Sequence, residues 1–145
     1  MIISIASDHA GFQQKQALKT YLLEKGFDVC DVGPENDDRV DYPDFAAKVA
    51  HEIQNGAVDR GVLVCGTGIG MAITANRFKG IRAANVVSPQ FAALAREHND
   101  ANVITLSARF VTQDVNERIL DAFLSTDFGG GRHANRVEKI DTVSN

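Results

Sequence analysis

Three glycines separated by single residues follow a cysteine in the middle of the chain, in the stretch C-G-T-G-I-G-M that begins at Cys65. Glycines at 66, 68 and 70 let the backbone turn tightly and expose consecutive N–H groups at the start of a helix, an arrangement that binds anions. The spacing is G-x-G-x-G, which matches neither the dinucleotide-binding fingerprint nor a Walker A loop. A tight strand–helix turn without a ligand is the alternative interpretation.

Cys65 stands directly before these N–H groups. A thiol at the N-terminus of a helix has a stabilised thiolate form and can act as a base or nucleophile near neutral pH. The alternative is a buried structural cysteine. That alternative fits Cys30 much better, because Cys30 lies within a predicted strand away from any glycine turn.

Other side chains that can donate or accept protons stand where predicted elements end. Asp8 and His9 follow the first strand, as an acid–base pair or, for Asp8, as a helix cap. His98 ends a predicted helix, where interaction with the helix dipole is the alternative to a chemical role. The histidines lack H-x-H and H-E-x-x-H spacing and the cysteines form no C-x-x-C pair, so neither a metal site nor a cofactor is expected.

Two arginines follow three consecutive glycines near the C-terminus. Arg132 and Arg136 are four positions apart, so on a helix they share one face and can clamp a phosphate. A solvated basic face that pairs with Glu138 is the alternative. The glycines at 129–131 give the tail freedom to lie over a pocket or over a neighbouring chain.

Short apolar runs alternate with segments of helical periodicity along the chain. The runs predict five strands, at residues 2–6, 27–32, 62–65, 81–86 and 103–106. The first helix is predicted over residues 10–25, and Ser88 and Thr112 are predicted to cap two later helices. Strict strand–helix alternation predicts one α/β domain over residues 1–145, with a five-stranded parallel sheet covered by helices on both faces.

The predicted sheet also groups the reactive side chains. In an open parallel sheet, ligands bind beyond the carboxyl ends of the strands. The residues predicted to gather along that edge are Asp8, His9, Cys65, Thr67, His98 and Arg109.

Composition excludes several classes of protein. The net charge of −4 over 145 residues disfavours a nucleic-acid or anionic-membrane partner. No apolar run approaches the ~18 residues of a transmembrane helix, and the first residues lack the basic segment of a signal peptide. We therefore expect a cytoplasmic protein with reduced thiols. A non-catalytic nucleotide-sensing module, in which the turn binds phosphates and Cys65 is inert, is the alternative from another functional class.

Five motifs, taken in order and spacing, resemble the ribose-5-phosphate isomerase B family, which also includes the galactose-6-phosphate isomerase subunits. They are S-D-H-A-G-F, D-Y-P, C-G-T-G-I-G, R-E-H-N-D-A-N-V and G-G-R-H-x-x-R-V, and the resemblance spans residues 3–137. It implies a three-layer α/β/α Rossmann-like fold with strand order 2-1-3-5-4. It also implies a homodimer, or a tetramer, whose active sites are built across two chains, with the tail at 129–145 docked on the partner subunit.

The resemblance further implies interconversion of D-ribose 5-phosphate and D-ribulose 5-phosphate through an enediolate, without a cofactor. A six-carbon substrate such as allose or galactose 6-phosphate is the alternative. In this reading Cys65 is the catalytic base, Thr67 helps to handle protons, His98 opens the sugar ring, and Asp8 contacts the sugar. The implied substrate-binding residues are His9, Tyr42, Gly66, Gly68, Ile69, Gly70, Asn99, Arg109, Arg132 and Arg136.

This sequence departs from the family pattern at a few positions. Ala6 and Ser107 stand where the family often has glycine, which affects the pocket wall and removes no catalytic group. Some relatives use a glutamate shortly after the glycine turn in place of the cysteine. Residues 72–75 here contain none, so Cys65 is the only candidate base in the turn.

Overall fold

The computed structural model describes residues 1–143 and contains one five-stranded sheet. Its strands are β1 (Ile2–Ser7), β2 (Asp28–Asp31), β3 (Arg60–Cys65), β4 (Ala83–Asn85) and β5 (Val103–Ser107). All pairings are parallel and the strand order is β2-β1-β3-β5-β4. The predicted parallel sheet and its strand order are therefore confirmed.

Helices connect the strands in the predicted alternation. They are α1 (Phe12–Glu24), α2 (Tyr42–Gln54), α3 (Ile69–Ala75), α4 (Pro89–Asn99), α5 (Gln113–Ser125) and, after a 3₁₀ turn at Gly131–His133, α6 (Ala134–Thr142). Among residues 1–143, no helix combines the length and the apolar character needed to cross a membrane.

Most local signals in the sequence have the structural role predicted for them. The side chains of Ser88 and Thr112 accept the N–H groups of Phe91 and Val115 as N-caps. Helix α1 begins two residues later than predicted. The reason is that residues 8–11 form a turn, in which the Asp8 carboxylate accepts the N–H of Gly11.

The three central strands, β1, β3 and β5, are buried on both faces, as their apolar runs require, whereas the edge strands β2 and β4 are only partly covered. Helices α1, α4 and α5 pack on one face over a core that includes Ile5 and Ile104. Helices α2 and α3 cover the other face, over a core that includes Leu63, Cys65 and Met71. The three-layer α/β/α prediction is confirmed, and Cys65 lies on the α2–α3 side of the sheet.

Strand register decides which residues meet at each edge of the sheet. Cys65 at the end of β3 is paired with Ser107 at the end of β5, and these define the carboxyl edge. Gly61 and Val103 are paired at the opposite, amino edge. Helix α4 runs back against the strands and ends just before β5 begins, so its last residues lie at the amino edge. The two edges are roughly 13 Å apart along β5, at about 3.3 Å per residue.

A fully buried lysine joins α1 to the end of β2. The Nζ of Lys15 donates to the Asp31 carboxylate over 2.7 Å and to the carbonyl of Pro34 over 2.8 Å. Burial acts to raise the pKa of Asp31, but hydrogen bonds from Lys15, the Gly33 N–H and Lys19 outweigh it and lower that pKa. This ion pair fixes the chain at the point where it leaves β2.

Candidate active site

The glycine turn forms the floor of the site at the carboxyl edge of the sheet. β3 ends at Cys65, and the chain passes through Gly68, which has a left-handed φ of +81°, before α3 begins at Ile69. Only glycine adopts this conformation without strain. A Cβ atom on Gly70 would come within 2.6 Å of the Tyr42 ring, so that ring lies directly on the turn.

The Cys65 thiol is turned into this loop. Its side chain is buried, and the Gly68 N–H donates to Sγ over 3.0 Å. The Thr67 hydroxyl oxygen accepts the N–H of Ile69 over 3.2 Å, which places a second protonatable group in the same turn. The predicted grouping of Cys65, Thr67 and the glycine N–H groups is therefore present in the structure.

Arg109 approaches the same turn from the chain that follows β5. The Ala108 N–H donates to the Cys65 carbonyl over 2.9 Å, and the Arg109 N–H donates to the Gly66 carbonyl over 3.1 Å. A Cβ atom on Gly66 would stand 3.2 Å from Arg109 Nη1, so the guanidinium lies close over the glycine. An exposed cation thus lies at the glycine turn, on the edge of the sheet where the sequence predicts Arg109.

Asp8 and His9 complete the cluster at this edge. Asp8 is buried, and its Oδ1 accepts the Gly11 N–H over 3.0 Å within the turn that precedes α1. Asp8 is not the helix cap that the sequence left open, because the N-cap residue of α1 is Gly11. His9 is half-buried, and its Nδ1 lies 3.3 Å from the N–H and 3.1 Å from the carbonyl of Val40. These backbone contacts fix the imidazole ring and leave Nε2 available to a ligand.

The prediction that His98 shares this edge is wrong. His98 and Asn99 are the last residues of α4, which ends at the amino edge of the sheet. The error came from reading element ends without their direction, because the end of a helix in this fold lies beside the start of the next strand. Within one chain, His98 and Cys65 are therefore on opposite edges.

The C-terminal tail packs on its own chain beside His98. The Gly129 N–H donates to the Glu97 carbonyl over 2.9 Å, and the His133 ring stacks on the His98 ring at 4.3 Å with an interplanar angle of 14°. Burial lowers the pKa of His133, and the neighbouring His98 and the arginines of the tail lower it further. These contacts hold the His98 ring against the tail.

Arg132 and Arg136 lie in this same region. Arg132 belongs to the 3₁₀ turn and Arg136 to α6, and both are exposed. Helix α6 is fastened through Asp141, which pairs with Arg82 at 2.9 Å. Residues 129–143 of the tail thus form a 3₁₀ turn and a helix that carry two exposed guanidiniums beside His98.

The chain therefore carries two clusters of chemically capable side chains. One surrounds Cys65 at the carboxyl edge, and the other surrounds His98 at the amino edge. A cavity of about 420 Å³ at the amino edge is lined by residues that include Asn99, Arg82 and Asp141. A second cavity, of about 740 Å³, lies between α1 and α2. Cys65 lines neither of these two cavities. Within residues 1–143, no three His, Cys, Asp or Glu side chains form a group suited to a metal ion.

Sequence reasoning missed Asn85, the last residue of β4. Its side-chain amide donates to the Thr67 carbonyl over 3.2 Å and to the Thr105 hydroxyl over 3.0 Å. The available signal was a polar amide at the end of the predicted strand at 81–86, where Asn85 and Arg82 are the two polar residues.

Comparison with known proteins gives consistent matches over almost the whole chain. The sequence matches the Ribose/Galactose Isomerase family over residues 3–140. It is 43% identical over 141 residues to ribose-5-phosphate isomerase B of Escherichia coli, covering 97% of this chain and 95% of the relative. It is 50% identical over 140 residues to a probable ribose-5-phosphate isomerase B of Mycoplasma genitalium, covering 95% and 92%.

Solved structures agree with the sequence matches. A ribose 5-phosphate isomerase from Thermotoga maritima superimposes with a TM-score of 0.95 at 51% identity, covering 97% of each chain. Ribose-5-phosphate isomerase B from Mycoplasma genitalium, solved with bound ribulose-5-phosphate, superimposes with a TM-score of 0.94 at 48% identity, covering 99% of this chain and 95% of that one.

Proposed function

We propose that this chain interconverts D-ribose 5-phosphate and D-ribulose 5-phosphate. The premise is that the chain belongs to the ribose/galactose isomerase family and is an aldose–ketose isomerase. Relatives at 43 to 50% identity carry the name ribose-5-phosphate isomerase B, and one similar structure holds ribulose-5-phosphate. The observation that carries the proposal is the Cys65 thiol held at the Gly68 N–H in a turn built of glycines.

The proposed proton transfer takes place at this turn. Cys65 Sγ, as thiolate, removes the proton from C2 of the open aldose, and the electron pair moves towards O1 to give an enediolate. Backbone N–H groups of the turn stabilise the developing negative charge, which is the role such preorganised donors have in other enzymes. Return of the proton to C1 gives the ketose, while Thr67 and Asp8 exchange the hydroxyl protons.

The phosphate is proposed to bind arginines. Arg109 extends over the turn, and Arg132 and Arg136 are exposed on the tail. Guanidinium groups bind phosphate oxygens through paired hydrogen bonds. Binding energy from this remote group positions the reacting carbons without taking part in the chemistry.

Ring opening is proposed to use His98 of a second subunit. Imidazole exchanges protons near neutral pH and suits the opening of a cyclic sugar. Because His98 and Cys65 occupy opposite edges of one chain, a single chain cannot bring both to one sugar. A two-fold homodimer that places the amino edge of one protomer against the carboxyl edge of the other completes two identical sites.

Exposed apolar side chains support such an assembly. Ile73 on α3, Phe91 on α4 and Phe110 after β5 are each more than 60% exposed. Such large exposed apolar side chains would lose water-exposed surface if a second subunit covered them. The same partner subunit is proposed to cover the outer side of the tail at 129–145. Residues 144 and 145 of this tail lie outside the described residues. Two such dimers are proposed to pair into a tetramer.

Both cysteines, Cys30 and Cys65, are free thiols. A base that must remain reduced suits a reducing compartment, so we propose a cytoplasmic location.

A panel of aldose phosphates tests the substrate. We expect kcat/KM to be highest for ribose 5-phosphate, with allose 6-phosphate and galactose 6-phosphate well below it. The reason is that the distance between the thiol and the proposed phosphate-binding arginines is fixed, so the site selects substrates by their chain length. If a six-carbon sugar phosphate is turned over best, the five-carbon proposal is wrong and the six-carbon alternative replaces it.

A further inference from the structure

The glycine turn is anchored through its successive carbonyl groups. The Cys65 carbonyl accepts the Ala108 N–H over 2.9 Å. The Gly66 carbonyl accepts the Arg109 N–H over 3.1 Å and the Ser107 hydroxyl over 2.8 Å. The chain at the end of β5 therefore fixes the first two peptide units of the turn.

The next carbonyl, that of Thr67, is held by a side chain. Asn85 Nδ2 donates to it over 3.2 Å. The same Nδ2 lies 3.0 Å from the hydroxyl oxygen and 3.3 Å from the carbonyl of Thr105, a fully buried residue of β5. Thr105 thus orients the amide of Asn85, and Asn85 in turn holds the turn.

Asn85 acts on the Gly68 N–H because that N–H and the Thr67 carbonyl belong to one peptide unit. A trans peptide is planar and its C=O and N–H point in opposite directions. Fixing the carbonyl towards Asn85 therefore fixes the N–H on the other side, where it donates to Cys65 Sγ over 3.0 Å. A Cβ atom on Gly68 would collide with Asn85 Nδ2, so the amide lies directly against this peptide.

Gly68 makes such a restraint necessary. With a φ of +81° and no side chain, it permits rotation of the preceding peptide at little cost. After such a rotation, the Thr67 carbonyl oxygen would face the thiol and the developing enediolate in place of the Gly68 N–H. A carbonyl oxygen carries partial negative charge, so it would repel the anionic intermediate.

We propose that Asn85 is a positioning residue that locks the Thr67–Gly68 peptide with its N–H towards Cys65. The catalytic consequence rests on the proposed function, whereas the orientation of the peptide does not. Loss of the lock lowers the rate of proton transfer and leaves phosphate binding intact, because Arg109 is anchored at the Gly66 carbonyl, one peptide before the unit that Asn85 holds, and Arg132 and Arg136 lie on the tail. The expected signature is a fall in kcat with an almost unchanged KM.

The test replaces Asn85 by leucine, which has a similar size and no donor. Asn76→Leu is the matched control, since the Asn76 amide bonds both the N–H (2.8 Å) and the carbonyl (2.9 Å) of Ala83 at the other end of β4. Each variant removes a side-chain amide that makes hydrogen bonds next to β4, from the end of α3 for Asn76 and from β4 itself for Asn85, but only the Asn85 amide contacts the turn. Amide hydrogen exchange at Gly68, followed by NMR on the full-length protein, reports the peptide directly.

We expect Asn85→Leu to speed exchange at Gly68 at least tenfold and to lower kcat on ribose 5-phosphate by roughly tenfold, the scale of one hydrogen bond. Asn76→Leu should leave both at wild-type values. Thr105→Val, which removes the hydroxyl that orients Asn85, should give a smaller change in the same direction. Exchange at Gly68 that is equal in Asn85→Leu and wild type overturns the proposal, as does faster exchange with an unchanged kcat.

The two proposals fail separately in this design. If the wild-type protein isomerises no sugar phosphate, the proposed function is wrong, and the exchange rates at Gly68 still decide whether Asn85 orients the peptide.

Discussion

The central step of the proposed reaction depends on one sulfur atom. Cys65→Ala removes the base and should lower kcat by ~10² to 10⁴, the range typical for loss of a general base. Substrate affinity should stay near the wild-type value, because the phosphate is proposed to bind arginines and not the thiol. Steady-state kinetics with ribose 5-phosphate, together with a direct binding measurement, checks this.

Cys30 provides the control for that measurement. It is a half-buried thiol in β2, away from the glycine turn, and Cys30→Ala should leave kcat nearly unchanged. Retention of more than about a tenth of wild-type kcat by Cys65→Ala would remove the cysteine from the role of base.

His98 has a different predicted signature, because ring opening precedes proton transfer. His98→Asn should be strongly impaired on ribose 5-phosphate, which is mainly cyclic in water. It should be much less impaired on a four-carbon aldose phosphate, whose phosphorylated terminal hydroxyl cannot close a ring. Comparison of kcat/KM for both substrates checks this, and equal losses on the two would assign His98 to proton transfer or to the fold.

At the scale of elements, the buried pair of Lys15 and Asp31 joins α1 to the end of β2 and makes stability depend on pH. The pKa of Asp31 is lowered in the folded state, so the carboxylate stabilises the fold above its ordinary pKa of 3.8, and this contribution is lost as the pH falls below that value. Asp31→Asn should therefore be less stable than wild type at pH 7, and the difference should shrink as the pH falls from about 5 to 3.

Urea unfolding at each pH measures this difference. Asp121→Asn is the control, since Asp121 accepts Lys25 at 2.7 Å on the surface, with both side chains about 40% exposed, where ion pairs contribute little. A stability difference for Asp31→Asn that stays constant over this range contradicts the account.

The sequence predicts much of the fold at this scale, because the central strands β1, β3 and β5 each contain a short apolar run. The side chains of Ser88 and Thr112 predict helix starts for a local reason, namely the capping of N–H groups nearby in sequence. Lys15 could not be predicted to be buried, because the burial depends on Asp31 and Pro34, which reach it only after β2 is paired with β1. Asn85 escaped prediction for the same reason: its partners, Thr67 and Thr105, are about 20 positions away on other elements.

At the scale of the whole molecule, the distribution of the site between two edges is the feature with the greatest consequence. The cluster around Cys65 was predictable, since strand ends at a carboxyl edge converge in any parallel sheet. The placement of His98 was not, because it depends on the direction in which α4 returns across the sheet. That direction separates His98 from Cys65 within one chain and makes the second copy of the chain part of the proposed chemistry.

Subunit complementation tests this claim most directly. Cys65→Ala and His98→Asn chains, each inactive on ribose 5-phosphate when assayed alone, are mixed under conditions that exchange subunits. If Cys65 of one chain works with His98 of its partner, each mixed dimer contains one site with both residues intact and one site that lacks both. With random exchange, half of the dimers are mixed, so activity should return to about a quarter of the wild-type level. If each site is built from one chain, every site retains a lesion, and a mixture that stays inactive after exchange contradicts the shared site.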